Sequence, residues 1–285
     1  MPTHAPSSHH LATLLRLLDD STPEVRASVA QELEAYQGDV SDWIGTIKTD
    51  LPQSDQRTLA RLLRPARRAR LESDWIVPSR GIVSLVEDWE AAEALLRAES
   101  DFLHDGISIR QPLGDALDLL AEEAEAAFAD ENEAGMCRIL LRDFLKADTS
   151  GDLFPELYDL AALADGAPGN SVGLAAVIML VGHRLGASVR GVNFPGTFYL
   201  VIPDPEIGHL TFDPAAGLRP IEPQVLTQRV LRASPALRAK LQQPFTPGDL
   251  VLRITEEIET AFAVGEDAED AELFGRLSES LRHQG

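Results

Sequence analysis

Apolar positions recur along most of the chain at the three-to-four-residue spacing of helices that bury one face. Leu11, Leu14, Leu15 and Leu18 make the first stripe, and Val25, Val29 and Leu33 the next. Between them Thr22 is placed to cap, Pro23 suits a first helical position, and Glu24 favours the positive end of the helix dipole. Residues 40–51 repeat the pattern with Trp43, Ile44 and Ile47 inward. Residues 55–71 do so with Leu59, Leu62 and Leu63, and Pro65 predicts a kink or break there. After a connector at 75–79, Ile82, Leu85, Val86 and Trp89 predict a helix running to about Arg97. Residues 136–146, with Ile139, Leu140 and Phe144 buried, and 153–163 predict two more.

The period changes after Gly169. Leu174, Val177, Ile178, Val181 and Leu185 share one helical face, and Gly186 is a C-terminal stop able to take a left-handed conformation. Three short runs follow at 188–193, 197–202 and 208–213. They are separated by Phe194-Pro195-Gly196 and Pro203-Asp204-Pro205, which are turn signals. Pro220 and Pro223 mark a boundary, beyond which helices are expected at 225–230, 235–241, 250–264 and 268–281. The pattern predicts a helix-rich α+β protein in three parts. These are a helical region over 1–75, a core over 76–220 with a helix packed on a small antiparallel sheet, and a helical region over 221–285. The stretch LLRLLDDSTPEVRASVAQEL resembles one HEAT-type helix pair, too little for a solenoid, which needs about three repeats.

Composition narrows the function. Hydrophobic residues make 44% and charged residues 25% of 285, as in a folded globular protein. No run of about 18 apolar residues exists and the N-terminus lacks a secretory pattern, so no membrane span is expected and the cytoplasm is the expected compartment. The net charge of −21 argues against sequence-independent nucleic-acid binding, which needs a basic face. A single cysteine, Cys137, excludes an internal disulfide and a cysteine zinc cage, and on an apolar helix it reads as an inert small hydrophobe. Positive charge concentrates on one predicted helix, where Arg57, Arg61 and Arg64 share a face at helical spacing. They are candidates for an acidic partner, set against intramolecular pairing or solvation with the acidic region 111–136.

The stretch HRLGASVRGVNFPGTF followed by FDPAAG resembles the transglutaminase-like core of the SirB1 family. The lead-in FLHDGISIRQPLGDALDLLAEEAEAAF resembles the helical segment before it. The resemblance implies papain-like chemistry, with a Cys or Ser opening the core helix, a His on the next strand in a PGHF context, and an Asp on the strand after. In this chain those positions carry Gly173, Thr197 and Asp213. Only the acid is present, and the resemblance then implies a non-catalytic protein that binds a protein or peptide partner. Ser171 lies two residues before Gly173, and as a helix cap it has a structural reason to be there. His209, Thr211 and Asp213 alternate on one strand face, so Ser171, His209 and Asp213 compose an alternative hydrolase or acyltransferase site. Four residues along a strand span about 13 Å, which sets His209 far from Asp213. A structural subunit of an assembly is the third reading.

His4, His9 and His10 on the N-terminal tail form no metal-ligand set, and His183 reads as an interface or surface residue. No G-x-x-x-x-G-K-[ST], G-x-G-x-x-G or H-E-x-x-H occurs, so neither a cofactor nor a metal is expected.

Overall fold

The computed structural model describes residues 6–18, 20, 22–47, 51–194, 197–241 and 243–283. His4 and the Pro195-Gly196 part of the expected turn lie outside the described residues. The protein is helix-rich α+β. The chain folds as two compact units, Met1–Ile76 with Asp101–Arg110, and Val77–Ser100 with Gln111–Gly285.

The first unit is helical: α1 (Ser8–Leu15), α2 (Pro23–Leu33), α3 (Ser41–Ile47) and α4 (Gln53–Asp74). Leu11, Leu14, Leu15, Leu18, Val29, Leu33, Leu59 and Leu63 close into one core with Tyr36 and Ile107. The Tyr36 hydroxyl donates to the Ser7 carbonyl at 2.9 Å, and Ser7 caps α1 by accepting the His10 N–H. His9 and His10 are therefore in a helix rather than on a tail, and His10 faces Glu32 at 3.2 Å. Thr22 occupies the cap position of α2 without a side-chain cap, its own N–H donating to Asp20 instead.

Helix α4 runs on through Pro65 without a break, where a kink or break was expected. The ring removes one backbone donor, but Leu59, Leu63, Arg67 and Leu71 are buried on either side of it and hold the helix to its core. The Arg67 guanidinium donates to the Phe102 and Ala60 carbonyls at 3.3 and 3.0 Å.

The second unit surrounds one helix, α8 (Ser171–Leu185). Before it come α5 (Trp89–Leu103), α6 (Leu113–Ile139) and α7 (Leu160–Ala164). The helix expected from Ile82 is two pieces, a tight 3₁₀ turn at Gly81–Leu85 and then α5, which starts where Asp88 accepts the Ala91 N–H. Helix α6 is interrupted at Glu131 and Asn132, the latter with φ 53°, and a π-helical turn at Leu140–Phe144 ends it. Two-residue strands β1 (Lys146–Ala147) and β2 (Pro168–Gly169) pair in parallel just before α8.

Helix α8 is the buried helix expected, enclosed all round and not only on the face that its spacing marks. Every residue from Val172 to Gly182 is buried, because the helix is covered on all sides. Gly186, at φ 68°, stops it as expected. The strands β3 (Arg190–Phe194), β4 (Thr197–Asp204) and β5 (Gly208–Phe212) form an antiparallel sheet in the order β3-β4-β5. Phe198, Leu200, Ile202 and Phe212 are fully buried. Register pairs Leu200 with both Gly191 and Phe212.

Helices α9 (Pro223–Arg232), α10 (Pro235–Leu241), α11 (Pro247–Val264) and α12 (Ala268–Arg282) complete the chain. Thr246 and Asp249 cap α11 reciprocally, and Phe262 and Phe274 join it to α12 with ring centroids 5.6 Å apart. The Gly81 turn lies against α12 so tightly that a Cβ on Gly81 would sit 2.1 Å from the Leu281 carbonyl oxygen.

Polar side chains are buried inside this unit as well, Glu99, Ser100, Asp159 and Thr255 among them. Glu99 on α5 is fully buried, Thr255 on α11 lies 2.6 Å from its Oε1, and its Oε2 has no partner. Burial pushes its carboxyl up to about 8, against the weaker downward pull of Thr255. Beside it, Ser100 bonds to Asp159 at 2.5 Å and accepts the Ala161 N–H, tying α5 to the start of α7. No helix among the described residues is long and apolar enough to cross a membrane.

Candidate functional site

The site to be weighed is the N-terminal mouth of α8. Its cap is Asn170, whose side-chain oxygen accepts the Val172 and Gly173 N–H groups at 3.1 and 2.9 Å. Ser171 is therefore not the cap; it occupies the first helical position. Its hydroxyl donates to Asp213 Oδ1 at 2.6 Å, and the same oxygen accepts the Ala215 N–H at 2.9 Å. Asp213 thereby caps the 3₁₀ turn Pro214–Ala216 and ties the end of the sheet to the start of α8.

Gly173 is in the first turn of α8, where the nucleophile of a papain-like site would stand. The position leaves no room for one: a Cβ there would meet the Leu157 carbonyl at 2.6 Å and Leu163 Cδ2 at 3.2 Å. Thr197 opens β4, opposite Phe194. Its parity puts it on the sheet face of Tyr199 and Val201 rather than that of Phe198 and Leu200. Asp213 follows β5 by one residue, and extending the register places it opposite Tyr199, on the same face as Thr197. The three positions thus follow the expected order of helix, strand and strand end. Of the residues considered, the structure joins only Ser171 and Asp213 by a hydrogen bond.

His209 lies exposed on β5 opposite Pro203 and makes no hydrogen bond to Ser171 or Asp213. The hydroxyl of Ser171 thus faces a carboxylate with no imidazole between. A carboxylate is a poor base toward an alcohol, and acyl transfer from serine needs a stronger one in hydrogen-bond reach. Two backbone donors at the helix mouth that could stabilise a thiolate or an oxyanion, the Val172 and Gly173 N–H groups, are already taken by Asn170.

Beneath the mouth lies a polar cluster that the sequence did not point to. The Tyr158 hydroxyl donates to Glu257 on α11 at 2.8 Å, and Glu257 pairs with Arg253 one turn earlier. Burial first, then the charge of Glu257, raises the Tyr158 hydroxyl above its ordinary range, so it stays a neutral donor. Asn170 itself was legible as a capping residue directly before an apolar run. Glu257, 99 residues from Tyr158, carries no local signal.

The remaining candidates lie elsewhere. Arg57 and Arg61 are exposed on α4, whereas Arg64 is half-buried with its guanidinium 4.3 Å from the Phe102 ring centre. In the acidic region, Asp118 is bound by Arg184, which also holds Glu93 in a bidentate pair at 2.8 Å, and Glu133 accepts the Ser188 N–H. His183 is exposed and stacks on Trp89, ring centroids 5.1 Å apart. Cys137 is buried, and burial followed by the charge of Glu133 pushes its thiol up to about 12.

Residues 112–256, just over half of the chain, match the Transglutaminase-like superfamily. The UPF0162 protein PA3419 of Pseudomonas aeruginosa is 28% identical over 173 residues, 60% of this chain and 61% of that protein. A UPF0162 protein of Xylella fastidiosa strain 9a5c is 40% identical over 62 residues, 22% of each chain. The chain therefore spans about three-fifths of the length of the Pseudomonas relative. No solved structure matches it. With a helix mouth, a following strand and an acid-bearing strand end in the order that this chemistry uses, and with residues 112–256 matching throughout, the chain belongs to the transglutaminase-like superfamily.

Proposed function

We propose that this protein is a non-catalytic, cytoplasmic, SirB1-like member of the superfamily that binds a protein or peptide partner through its core and helical flanks. The observation that carries the reading is the state of the helix mouth. Position 173 is a glycine closed off by the Leu157 carbonyl, and the neighbouring hydroxyl of Ser171 is held by Asp213. Neither a thiolate nor an activated alkoxide has a place there. Arg57 and Arg61 are the cations we propose for an acidic partner; Arg64 is already engaged with Phe102.

The test uses the full chain with a fluorophosphonate probe for serine, iodoacetamide for cysteine, and a panel of amide and ester substrates. No labelling of Ser171 and no turnover above buffer are expected. Turnover that disappears in Ser171→Ala would overturn the reading and establish the hydrolase alternative. The short Ser171–Asp213 bond is the one observation that favours that second reading.

A further inference from the structure

The two edges of the three-stranded sheet differ. Along β5 the chain doubles back: Phe212 bridges Pro220, and the Ile221 N–H donates to the Thr211 carbonyl at 2.8 Å. That edge is covered at its Thr211–Phe212 end. Among the described residues, strand β3 pairs only with β4. In an antiparallel pair, alternate residues turn both N–H and C=O away from the partner strand. Among the described residues, no backbone hydrogen bond reaches the outer side of β3. Such an edge is a template for another strand.

A cavity of about 280 Å³ follows this edge. Arg190 to Asn193 line it together with Val201 of β4, Leu241, Phe245 and Asp249, and the Asp249 carboxylate is engaged in capping α11 through Thr246. Consecutive strand residues point to opposite faces, so a cavity touching all four reaches the edge, and Val201, the β4 partner of Arg190, extends it over that face of the sheet. Gly191 permits this shape, because a Cβ there would lie 2.7 Å from the Phe245 ring. Arg190 is exposed, and neither it nor Asn193 makes a side-chain hydrogen bond or ion pair among the described residues. The volume lies just below the range of small-molecule clefts and suits a single anchoring side chain.

We propose that the open edge of β3 is the docking strand for an extended peptide segment that carries a carboxylate. The segment adds a fourth strand through main-chain hydrogen bonds, pairs its carboxylate with Arg190, and sets one apolar side chain against Leu241 and Phe245. This is recognition by strand addition, in which backbone bonds give affinity and alternate side chains give specificity. The proposal rests on the partner-binding reading above and names its site and the chemistry of its partner.

The experiment titrates the full chain, by fluorescence anisotropy, into three labelled octapeptides. One alternates Val, Thr and Phe around a central Glu, a second replaces Glu by Lys, and a third repeats the first with N-methyl groups on alternate backbone nitrogens. Amide hydrogen exchange then locates the bound peptide. The acidic peptide should bind in the tens of micromolar, the other two at least ten-fold more weakly, with protection gained at 191–194. Arg190→Glu, on an exposed side chain, should keep its circular dichroism and invert the Glu-over-Lys preference. Binding that protects 157–174 instead and ignores both N-methylation and Arg190→Glu would overturn the edge site while leaving partner binding in place. No binding of any peptide at millimolar concentration would overturn it too, as would self-association that protects 191–194 without peptide. The non-catalytic reading stands or falls separately, on the labelling and turnover assay.

Discussion

Replacing Glu99 by glutamine should remove a pH dependence that the wild-type fold carries. Glu99 is fully buried, with Thr255 as its neighbour, and burial raises its carboxyl to about 8 from an ordinary 4.5. Folded protein keeps the proton through the neutral range, while unfolded chain releases it above about 4.5. The folded state binds more protons in that window, so stability falls as pH rises from about 4.5 to about 8 and levels off above. This sign is opposite to that of a salt-bridged carboxylate. At about 1.4 kcal/mol for each unit of difference, the change between pH 5 and 8 from this one group is about 3–4 kcal/mol. Urea unfolding followed by circular dichroism across that range measures it, for wild type and Glu99→Gln side by side. The difference between the two stabilities should move by that amount in favour of the glutamine variant as pH rises. Parallel curves would refute the reasoning and mean that water or a cation reaches the carboxyl in the folded state.

Gly173→Cys should not create a reactive thiol. The Leu157 carbonyl stands in its place, so the variant should lose about 1–3 kcal/mol in urea unfolding, and a folded variant of unchanged stability that reacts rapidly with iodoacetamide would contradict this. Asn170→Ala should cost about 1 kcal/mol by uncovering the Val172 and Gly173 N–H groups, and a loss much smaller than that would show the cap to be redundant. Native Cys137 should be unreactive toward a disulfide reagent at pH 8 and react stoichiometrically in urea, its thiol being buried and held at about 12. Fast native labelling would show that α6 opens around it.

What the sequence disclosed was local. Gly186 ended α8 because a left-handed cap is a property of one residue. The three strands were legible because Pro, Gly and Asp interrupt alternating runs over a few positions. Pro65 does not break α4: its local preference is real, but Leu59, Leu63 and Leu71 on a buried face outweigh it. That α8 is a buried helix was legible in its apolar run, but a helix enclosed by its own unit is apolar all round, and the spacing that marked one face then carries no direction. Glu99 stands in the run Ala98-Glu99-Ser100-Asp101, which has the composition of a surface turn. Only the arrival of Thr255, 156 residues later, makes it a core residue. At the helix mouth the order of Gly173, Thr197 and Asp213 was visible, but the Ser171–Asp213 bond and the Leu157 carbonyl at Gly173 depend on packing that no spacing encodes.

The close fit of Gly81 against the Leu281 carbonyl has a consequence for synthesis on the ribosome. The turn at Gly81–Leu85 is translated 200 residues before its partner (281 minus 81). At about 5–20 residues per second, that turn waits on the order of 10–40 s for α12 to be made. Until then Leu85, which is fully buried in the finished protein, has no completed core to enter. The nascent chain therefore exposes this apolar segment until α12 follows, and it is where a chaperone would find the incomplete molecule.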